Sequence, residues 1–293
     1  MVMPNFLIIG AQKAGTTSLY SYVKQHPQIY MSPVKEPHFF DLESEGHSFN
    51  GPFRERPDMI TDLKSYQSLF QGVTNEIAIG EASSWYFHSP KAVERIQYYI
   101  PDAKLIAILR DPVERAFSNF RHCHRRQIEP LTDFSQALHA EENRKLENWG
   151  HPWYYKYKGL YYLHLKRYFD AFERHQIRVY LTEDLSTNPI GVLQDIFQFL
   201  NVDTKYVPDV SKRKNTSDRS PQKLNPIKLL VKQFTQNSGR RISCSQRQNK
   251  RYLIESKPAV SPNLRQELIE QVYQEDILKL QDLIQRDLSH WLK

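Results

Sequence analysis

The segment Pro4–Leu19, PNFLIIGAQKAGTTSL, constrains the fold of this 293-residue chain more than any other. Asn5 to Ile9 is a short apolar run that predicts a buried parallel strand. Gly10 and Gly15 follow it, and apolar residues then recur at helical spacing. A strand, a glycine loop and a helix in this order are typical of a phosphate site, because backbone N–H groups and the positive end of the helix dipole meet in the loop. An ordinary strand, turn and helix with incidental glycines is the alternative.

The position of the lysine separates this loop from that of nucleotide kinases and ATPases. Their loop carries lysine directly after the second glycine, whereas this chain has Thr16 there and Lys13 three positions upstream. We therefore do not expect Lys13 to bind a β/γ-phosphate pair in the kinase manner. The chain is long enough for one large α/β domain, and we predict a P-loop-like central parallel sheet flanked by helices.

Two segments carry a resemblance to a known family. The pattern G-x-x-K-x-G-T-T-x-L resembles the 5′-phosphosulfate loop of the sulfotransferases, whose sulfate donor is 3′-phosphoadenosine 5′-phosphosulfate (PAPS). Residues 32–41, SPVKEPHFFD, are similar to the heparan-type glycan sulfotransferases of the N-deacetylase/N-sulfotransferase and 3-O-sulfotransferase branch. The resemblance implies a single sulfotransferase domain, 1–293, of the soluble bacterial type. It also implies that the loop residues hold the donor: Lys13, Ala14, Gly15, Thr16, Thr17 and Ser18.

The resemblance also implies the catalytic roles. Glu36 is expected to be the general base that takes the proton of the acceptor hydroxyl, in a loop that two prolines make stiff. Lys13 is expected to neutralise charge on the leaving phosphate. His122 matches a histidine near the acceptor in some glycan sulfotransferases, and the alternative is a histidine on the helix surface. No metal is expected, because lysine and backbone dipoles can carry out the role of magnesium in phosphoryl transfer.

A second motif predicts another anion site. LRDPVERAFSNF follows the apolar strand Lys104–Leu109, with Asp111 and Pro112 placed to begin a helix. The motif is similar to the 3′-phosphate motif of the sulfotransferases, and Arg110 and Ser118 are the matched residues. An arginine can grip a phosphate by a forked charge-assisted contact, to which a serine adds a hydroxyl. A donor with phosphates at both ends of its ribose requires two such sites, whereas a kinase does not require the second.

The acceptor contacts that the resemblance implies are Lys35, Asp41 and Trp85. Asp41 is expected either to touch the acceptor or to support a residue that does. Trp85 and Tyr86 suit stacking on a sugar or an apolar acceptor, and core packing is the alternative for both. Where the family commonly carries a lysine, this chain has Ala82, a departure from acceptor sites that bind heparan-like polyanions.

The last third of the chain combines a basic segment with a helix. Residues 205–252 hold much of the basic excess, and in the resembling enzymes a flexible loop of this kind covers the cofactor; solvated charges are the alternative. The residues implied as 3′-phosphate contacts are Lys250 and Arg251, and Arg247 is the alternative.

The pattern of Pro262–Trp291 predicts an amphipathic helix docked on the core, with Leu278 among the docked residues. Earlier, KYKGLY resembles the family's R-G-x-Y segment and implies Lys158 and Tyr161 as cofactor or cleft contacts.

The charge and the cysteine content limit the functional classes to which the chain can belong. The net charge of +7 and a pI near 9.2 imply an anionic partner, which could be nucleic acid, a membrane surface, an acidic glycan or a charged cofactor. Cys123 and Cys244 are too few for a disulfide framework and lack metal spacing. No run of about 18 apolar residues occurs, so we expect a cytoplasmic protein without a membrane span.

We therefore predict a PAPS-dependent sulfotransferase that acts on a hydroxyl or amino group of an acceptor, expected to be a carbohydrate and not a nucleic acid. One alternative is a P-loop kinase for nucleotides or small molecules. The other is a basic protein that binds polyanions. The sequence predicts neither the identity of the acceptor nor the oligomeric state.

Overall fold

The computed structural model describes residues 2–44, 49–52, 59–211 and 260–293. The strands are β1 (Phe6–Gly10), β2 (Ile29–Met31), β3 (Ala78–Ala82), β4 (Lys104–Leu109) and β5 (Ile177–Leu181). The α-helices are α1 (Thr16–Val23), α2 (Phe39–Leu42), α3 (Leu63–Ser68), α4 (Pro90–Tyr99), α5 (Pro112–Arg125), α6 (Phe134–His139), α7 (Glu141–Leu146), α8 (Tyr161–Ala171), α9 (Thr182–Thr187), α10 (Pro189–Phe199), α11 (Pro262–Leu268) and α12 (Gln274–Ile284). Within these ranges the helices are too short or too polar to span a lipid bilayer.

The strands form one parallel sheet in the order β2-β3-β1-β4-β5. β1 lies at its centre, with Ile8 opposite Ala82 of β3 and Ile106 of β4. Every residue of β1 is buried, as expected for a central parallel strand covered on both faces. The predicted α/β fold with a central parallel sheet flanked by helices is therefore confirmed.

The strand order brings three functional segments to one edge of the sheet. Because the strands are parallel, their carboxyl ends lie at the same edge, and ligands bind there at the point where the strand order reverses. That point lies between β1 and β4. The phosphate loop, residues 10–15, follows β1, and Arg110 follows β4. Ser83 and Ser84 follow β3 on the other side of β1.

The C-terminal helix differs from the predicted one. α11 continues through a π-helical turn into α12, which ends where Gln285 adopts a left-handed conformation with φ 54°. Trp291 lies beyond this end, in a short 3₁₀-helix, and is buried. Leu278 is 44% exposed, so the prediction that it docks on the core is wrong. The core-facing side of α12 instead carries Ile277 and Leu280.

Candidate active site

The phosphate loop has the backbone geometry that an anion site requires. Gly15 has φ 111°, a conformation that glycine adopts without strain. Lys13 has φ 72°, which is uncommon for a residue with a Cβ. Gly15 is also the N-cap of α1 and has no side chain to cap the first turn. An anion bound in the loop can therefore accept from the N–H groups of that turn.

Two contacts fix the phosphate loop to β4. The Ala11 amide donates to Ile108 O at 2.7 Å. The hydroxyl of Thr182, at the start of α9, is shared between Ala14 O at 2.6 Å and Leu109 O at 2.9 Å. Sequence reasoning missed Thr182, because a threonine after β5 belongs to none of the motifs.

Lys13 is half-buried in a region of positive charge. Burial lowers the pKa of its ammonium to about 8, and the charges of Arg125, Arg110 and Lys35 act in the same direction. These cations come from α5, from the end of β4 and from the loop after β2. An anionic ligand bound among them would offset their mutual repulsion.

Glu36 lies in the loop after β2 and is bonded to the end of β3. Its amide donates to Ala82 O at 2.9 Å, and its carboxylate accepts from the Ser84 amide at 2.7 Å and hydroxyl at 3.0 Å. Lys35 forms an ion pair with the same carboxylate. Burial would raise the pKa of this carboxylate, but the charges of Lys35 and His38 and the bond from Ser84 hold it below its usual value. Glu36 is therefore an anion at neutral pH and can accept a proton.

A second carboxyl group, that of Glu81, lies beneath this loop and is fully buried. Ser83 Oγ donates to it at 3.0 Å and the Tyr66 hydroxyl at 3.3 Å. Ser83 Oγ also accepts from the His38 amide at 3.3 Å. Burial raises the pKa of Glu81 to about 8, and the charge of Glu36 acts in the same direction. Glu81 is thus mainly neutral at pH 7 and is linked through Ser83 to the loop that carries Glu36.

The predicted acceptor contacts lie at different depths. Lys35 is partly exposed. Asp41 is buried, with its Oδ1 3.3 Å from His38 Nδ1, which favours a supporting role over direct contact with the acceptor. Trp85 and Tyr86 are also buried, and the Trp85 and His38 rings are 4.6 Å apart. Burial favours core packing for both aromatic residues, and acceptor binding by Trp85 stays a prediction.

Helix α5 carries the second anion motif on one face. Arg110 precedes the helix, and its Nη2 lies 3.1 Å from Glu114 Oε2. Glu114, Ser118 and His122 follow at intervals of four residues and therefore share a face. Burial and the charge of Lys13 lower the pKa of His122 to about 4. This face thus leads from Arg110 toward Lys13, and His122 is neutral at pH 7.

Two sets of contacts at Asp111 stabilise the start of α5. Asp111 Oδ1 accepts from the Glu114 amide at 2.9 Å, which confirms the predicted cap. Arg265 of α11 binds both carboxylate oxygens of Asp111, at 2.5 and 3.2 Å. The sequence does not indicate this pair, because its members are 154 positions apart.

Lys158 and Tyr161 contact the two motifs. Lys158 is buried, and its Nζ donates to Gln12 Oε1 of the phosphate loop at 2.7 Å. The Tyr161 hydroxyl donates to Arg110 O at 2.8 Å. The other implied cofactor contacts, Lys250, Arg251 and Arg247, lie outside the described residues, as do most of residues 205–252. The predicted single domain and its covering segment therefore stay predictions.

Comparisons with known proteins identify the relatives of this chain. Residues 4–206 match the model of the sulfotransferase family. The chain is 30% identical over 212 residues to the bifunctional heparan sulfate N-deacetylase/N-sulfotransferase 4 of Mus musculus, a match that covers 70% of this chain and 23% of that protein. It is 28% identical over 249 residues to carbohydrate sulfotransferase 15 of Homo sapiens, with 68% and 44% covered. The chain thus spans less than half the length of these relatives.

A solved structure matches the chain over its full length. The crystal structure of a sulfotransferase from Alicyclobacillus acidocaldarius is 36% identical, with 100% of both chains covered and a TM-score of 0.80.

Proposed function

Because the chain belongs to the sulfotransferase family, we propose that it transfers a sulfuryl group from PAPS to a hydroxyl or amino group of a carbohydrate acceptor. One observation carries the proposal: Lys13 follows β1, the Glu36 loop is bonded to the end of β3, and Arg110 follows β4. A base, a cation and a separate phosphate site therefore share one edge of the sheet. The relatives named as heparan sulfate and carbohydrate sulfotransferases support the class of acceptor.

The described residues fit a donor that is anionic at both ends. Residues 13–18 would hold the 5′-phosphosulfate, and Arg110 and Ser118 would hold the 3′-phosphate. Burial lowers the pKa of Lys13, and the charges of Arg125 and Arg110 lower it further. Two bound anionic groups would offset this repulsion among the cations, which supports the fit. Lys250 and Arg251 are proposed as further contacts to the 3′-phosphate.

Glu36 and Lys13 would have separate roles in the reaction. Glu36 would take the acceptor proton as the acceptor oxygen or nitrogen forms its bond to sulfur. Lys13 would stabilise the charge that develops on the 5′-phosphate oxygen as the bond from that oxygen to sulfur breaks. When bound, PAPS supplies the activated sulfuryl group, and 3′-phosphoadenosine 5′-phosphate (PAP) is left. His122, neutral at pH 7, would orient the acceptor beside Glu36.

Lys35 is the acceptor contact that the geometry supports best. It is partly exposed and lies beside the Glu36 carboxylate. Ala82, where the family commonly has a lysine, is fully buried, so Lys35 would supply positive charge on this side of the base. A cytoplasmic location stays a prediction from the sequence.

The proposal is tested by incubating the protein with PAPS and desulfated heparin, desulfated chondroitin and simple phenols. Sulfate is followed by mass spectrometry. We expect sulfate on a glycan and PAP in equal amount. Magnesium-dependent phosphorylation of the acceptors by ATP would contradict the proposal and favour the kinase alternative. Salt-sensitive binding of nucleic acid without any sulfuryl transfer would favour the polyanion-binding alternative.

A further inference from the structure

Two buried basic residues near the phosphate loop, Lys158 and Arg115, have no role in the reaction as proposed above. Lys158 is 2% exposed, and Arg115 of α5 is fully buried. Lys158 Nζ donates to Gln12 Oε1 at 2.7 Å, and Arg115 Nη2 donates to Tyr155 O. By distance and angle, Arg115 Nε and Nη1 form no hydrogen bond with the residues that the structure describes, although the Tyr273 hydroxyl lies near enough to interact with the guanidinium. This cluster thus holds more positive charge and more donors than its own contacts use.

The carboxylates near Lys158 are bound to other groups. Glu141 accepts from the amides of Lys156 and Tyr157, and Glu36 accepts from Ser84 and pairs with Lys35. Within the described ranges, neither Lys158 nor Arg115 forms an ion pair with a carboxylate. An ammonium buried without such a partner is costly in free energy, and burial and the charge of Arg115 accordingly lower the pKa of Lys158 to about 7. A bound anion beside it would favour the charged form. The arrangement therefore points to a negative charge that arrives with a ligand.

The neighbours of Lys158 belong to the phosphate loop and to the segment that binds Glu36. Gln12, to which it donates, directly precedes the lysine proposed to stabilise the leaving group. The Trp85 ring, 5.8 Å from Lys158 Nζ, directly follows the serine that binds Glu36. Burial and the charge of Arg115 lower the pKa of Lys158, and the charge of Glu36 acts in the opposite direction. Lys158 is thus bonded to the phosphate loop and interacts with the proposed base.

We propose that Lys158, with Arg115 behind it, supplies a second positive charge to the sulfuryl group of the bound donor. This inference rests on the proposed function and adds a residue to it. The sulfuryl oxygens are the part that PAPS has and PAP lacks. Lys158 should therefore favour PAPS over PAP, and a neutral side chain in its place should remove that preference and leave binding of the 3′-phosphate intact.

The test compares Lys158→Met with the unchanged protein. Calorimetry without acceptor gives the Kd of PAPS and of PAP, and mass spectrometry verifies that PAPS stays intact. We expect the affinity for PAPS to fall about tenfold or more, as for a lost charge-assisted contact. The affinity for PAP should change less than about twofold, because no sulfuryl group is present.

Thermal unfolding separates this role from a structural one. Burying an ammonium without a charged partner is costly in free energy, and methionine of similar length avoids that cost, so we expect Lys158→Met to keep or raise the Tm. A Lys158 that only holds Gln12 would give a lower Tm. A lower Tm together with equal loss of affinity for PAPS and PAP would overturn the inference.

Two control variants complete the experiment. Lys156→Met removes a partly exposed lysine of the same segment, whose Nζ lies 3.9 Å from Glu142 Oε1, and should change neither affinity. Lys158→Arg keeps the charge, and the resembling segment carries arginine here, so the preference for PAPS should persist. An unchanged ratio of the two affinities in Lys158→Met overturns this inference alone, whereas absence of transfer by the unchanged protein overturns the proposed function.

Discussion

Lys13 and Glu36, the two residues given the central roles, share an unusual backbone conformation. Their φ values are 72° and 61°, and a left-handed conformation at a residue with a Cβ costs about 1 to 3 kcal/mol. Such conformations persist where the surrounding structure imposes them. Here Ala82 and Ser84 bind Glu36, and Thr182 holds the loop that carries Lys13. Backbone strain thus coincides with the proposed chemistry.

Glu36→Gln removes the proton acceptor and keeps the size of the side chain and an oxygen that can accept from Ser84. We expect the rate of sulfuryl transfer to fall by about 10²- to 10⁴-fold, the usual contribution of a general base. The affinity for PAP should stay nearly unchanged, because Glu36 touches no phosphate in the proposed arrangement. Initial rates and calorimetry measure the two quantities. An equal loss of both would show that the carboxylate is structural.

At the scale of elements, α5 joins the two anion sites. Its first residues are held by the cap from Asp111 and by Arg265 of α11. Its partly buried stripe of Glu114, Ser118 and His122 begins beside Arg110 and ends at a histidine whose pKa is lowered by burial and by the charge of Lys13. A single rigid helix can therefore set the distance between the two ends of the donor.

Arg110→Ala tests the assignment of the 3′-phosphate site. The loss of a charge-assisted contact should weaken the binding of PAP by about 1.5 to 3 kcal/mol, or roughly 10- to 150-fold. Adenosine 5′-phosphate lacks the 3′-phosphate, so its binding should be weakened far less. Calorimetry with the two nucleotides measures the difference. Equal weakening would remove Arg110 and Ser118 from the 3′-phosphate site.

Arg265→Ala tests the contact between α11 and α5. Arg265 binds both oxygens of the mostly buried Asp111, so its loss should lower the free energy of unfolding by about 1 to 3 kcal/mol. The matched control is Arg286→Ala, which breaks the bidentate pair with Asp184. Arg286 is 43% exposed, so this change should cost less than about 1 kcal/mol. Denaturant unfolding compares the variants, and equal effects would contradict the expectation.

At the scale of the whole molecule, several cations from different elements meet near the carboxyl edge of the sheet. The charges of Arg125 and Arg110 act on Lys13 there, and the charge of Arg115 acts on Lys158. Such a cluster attracts anions and raises their rate of association. Burial, together with these charges, lowers the pKa of Lys13 to about 8 and that of Lys158 to about 7.

Transfer should therefore depend on pH in a bell-shaped way. The pKa of Glu36 is lowered, so the base is deprotonated unless the pH falls below 4.5. Lys13, with a pKa of about 8, and Lys158, with a pKa of about 7, lose their protons as the pH rises. The kcat/KM for PAPS should then fall between about pH 7 and 9. Lys158→Met should remove the component near pH 7, and a kcat/KM that stays constant between about pH 7 and 9 would contradict both assignments.

The class of fold and the two motifs could be predicted because their signals are local. A buried strand that runs into Gly10 and Gly15 is specified by neighbouring residues, and the structure forms the strand, loop and helix there. Asp111 caps α5 for the same reason. Leu278 shows the limit of periodicity, because an apolar residue in an amphipathic helix is buried only if another element covers its face.

By itself the sequence determined the parallel sheet, the phosphate loop, the position of Arg110 and the choice of Lys13 and Glu36 as candidates. The tertiary structure decided what surrounds them. It buried Trp85 and Asp41 and joined Lys158 to Gln12, 146 positions away. The reason is that local backbone preferences act between neighbours in the chain, whereas burial, pairing and pKa depend on groups that only folding brings together.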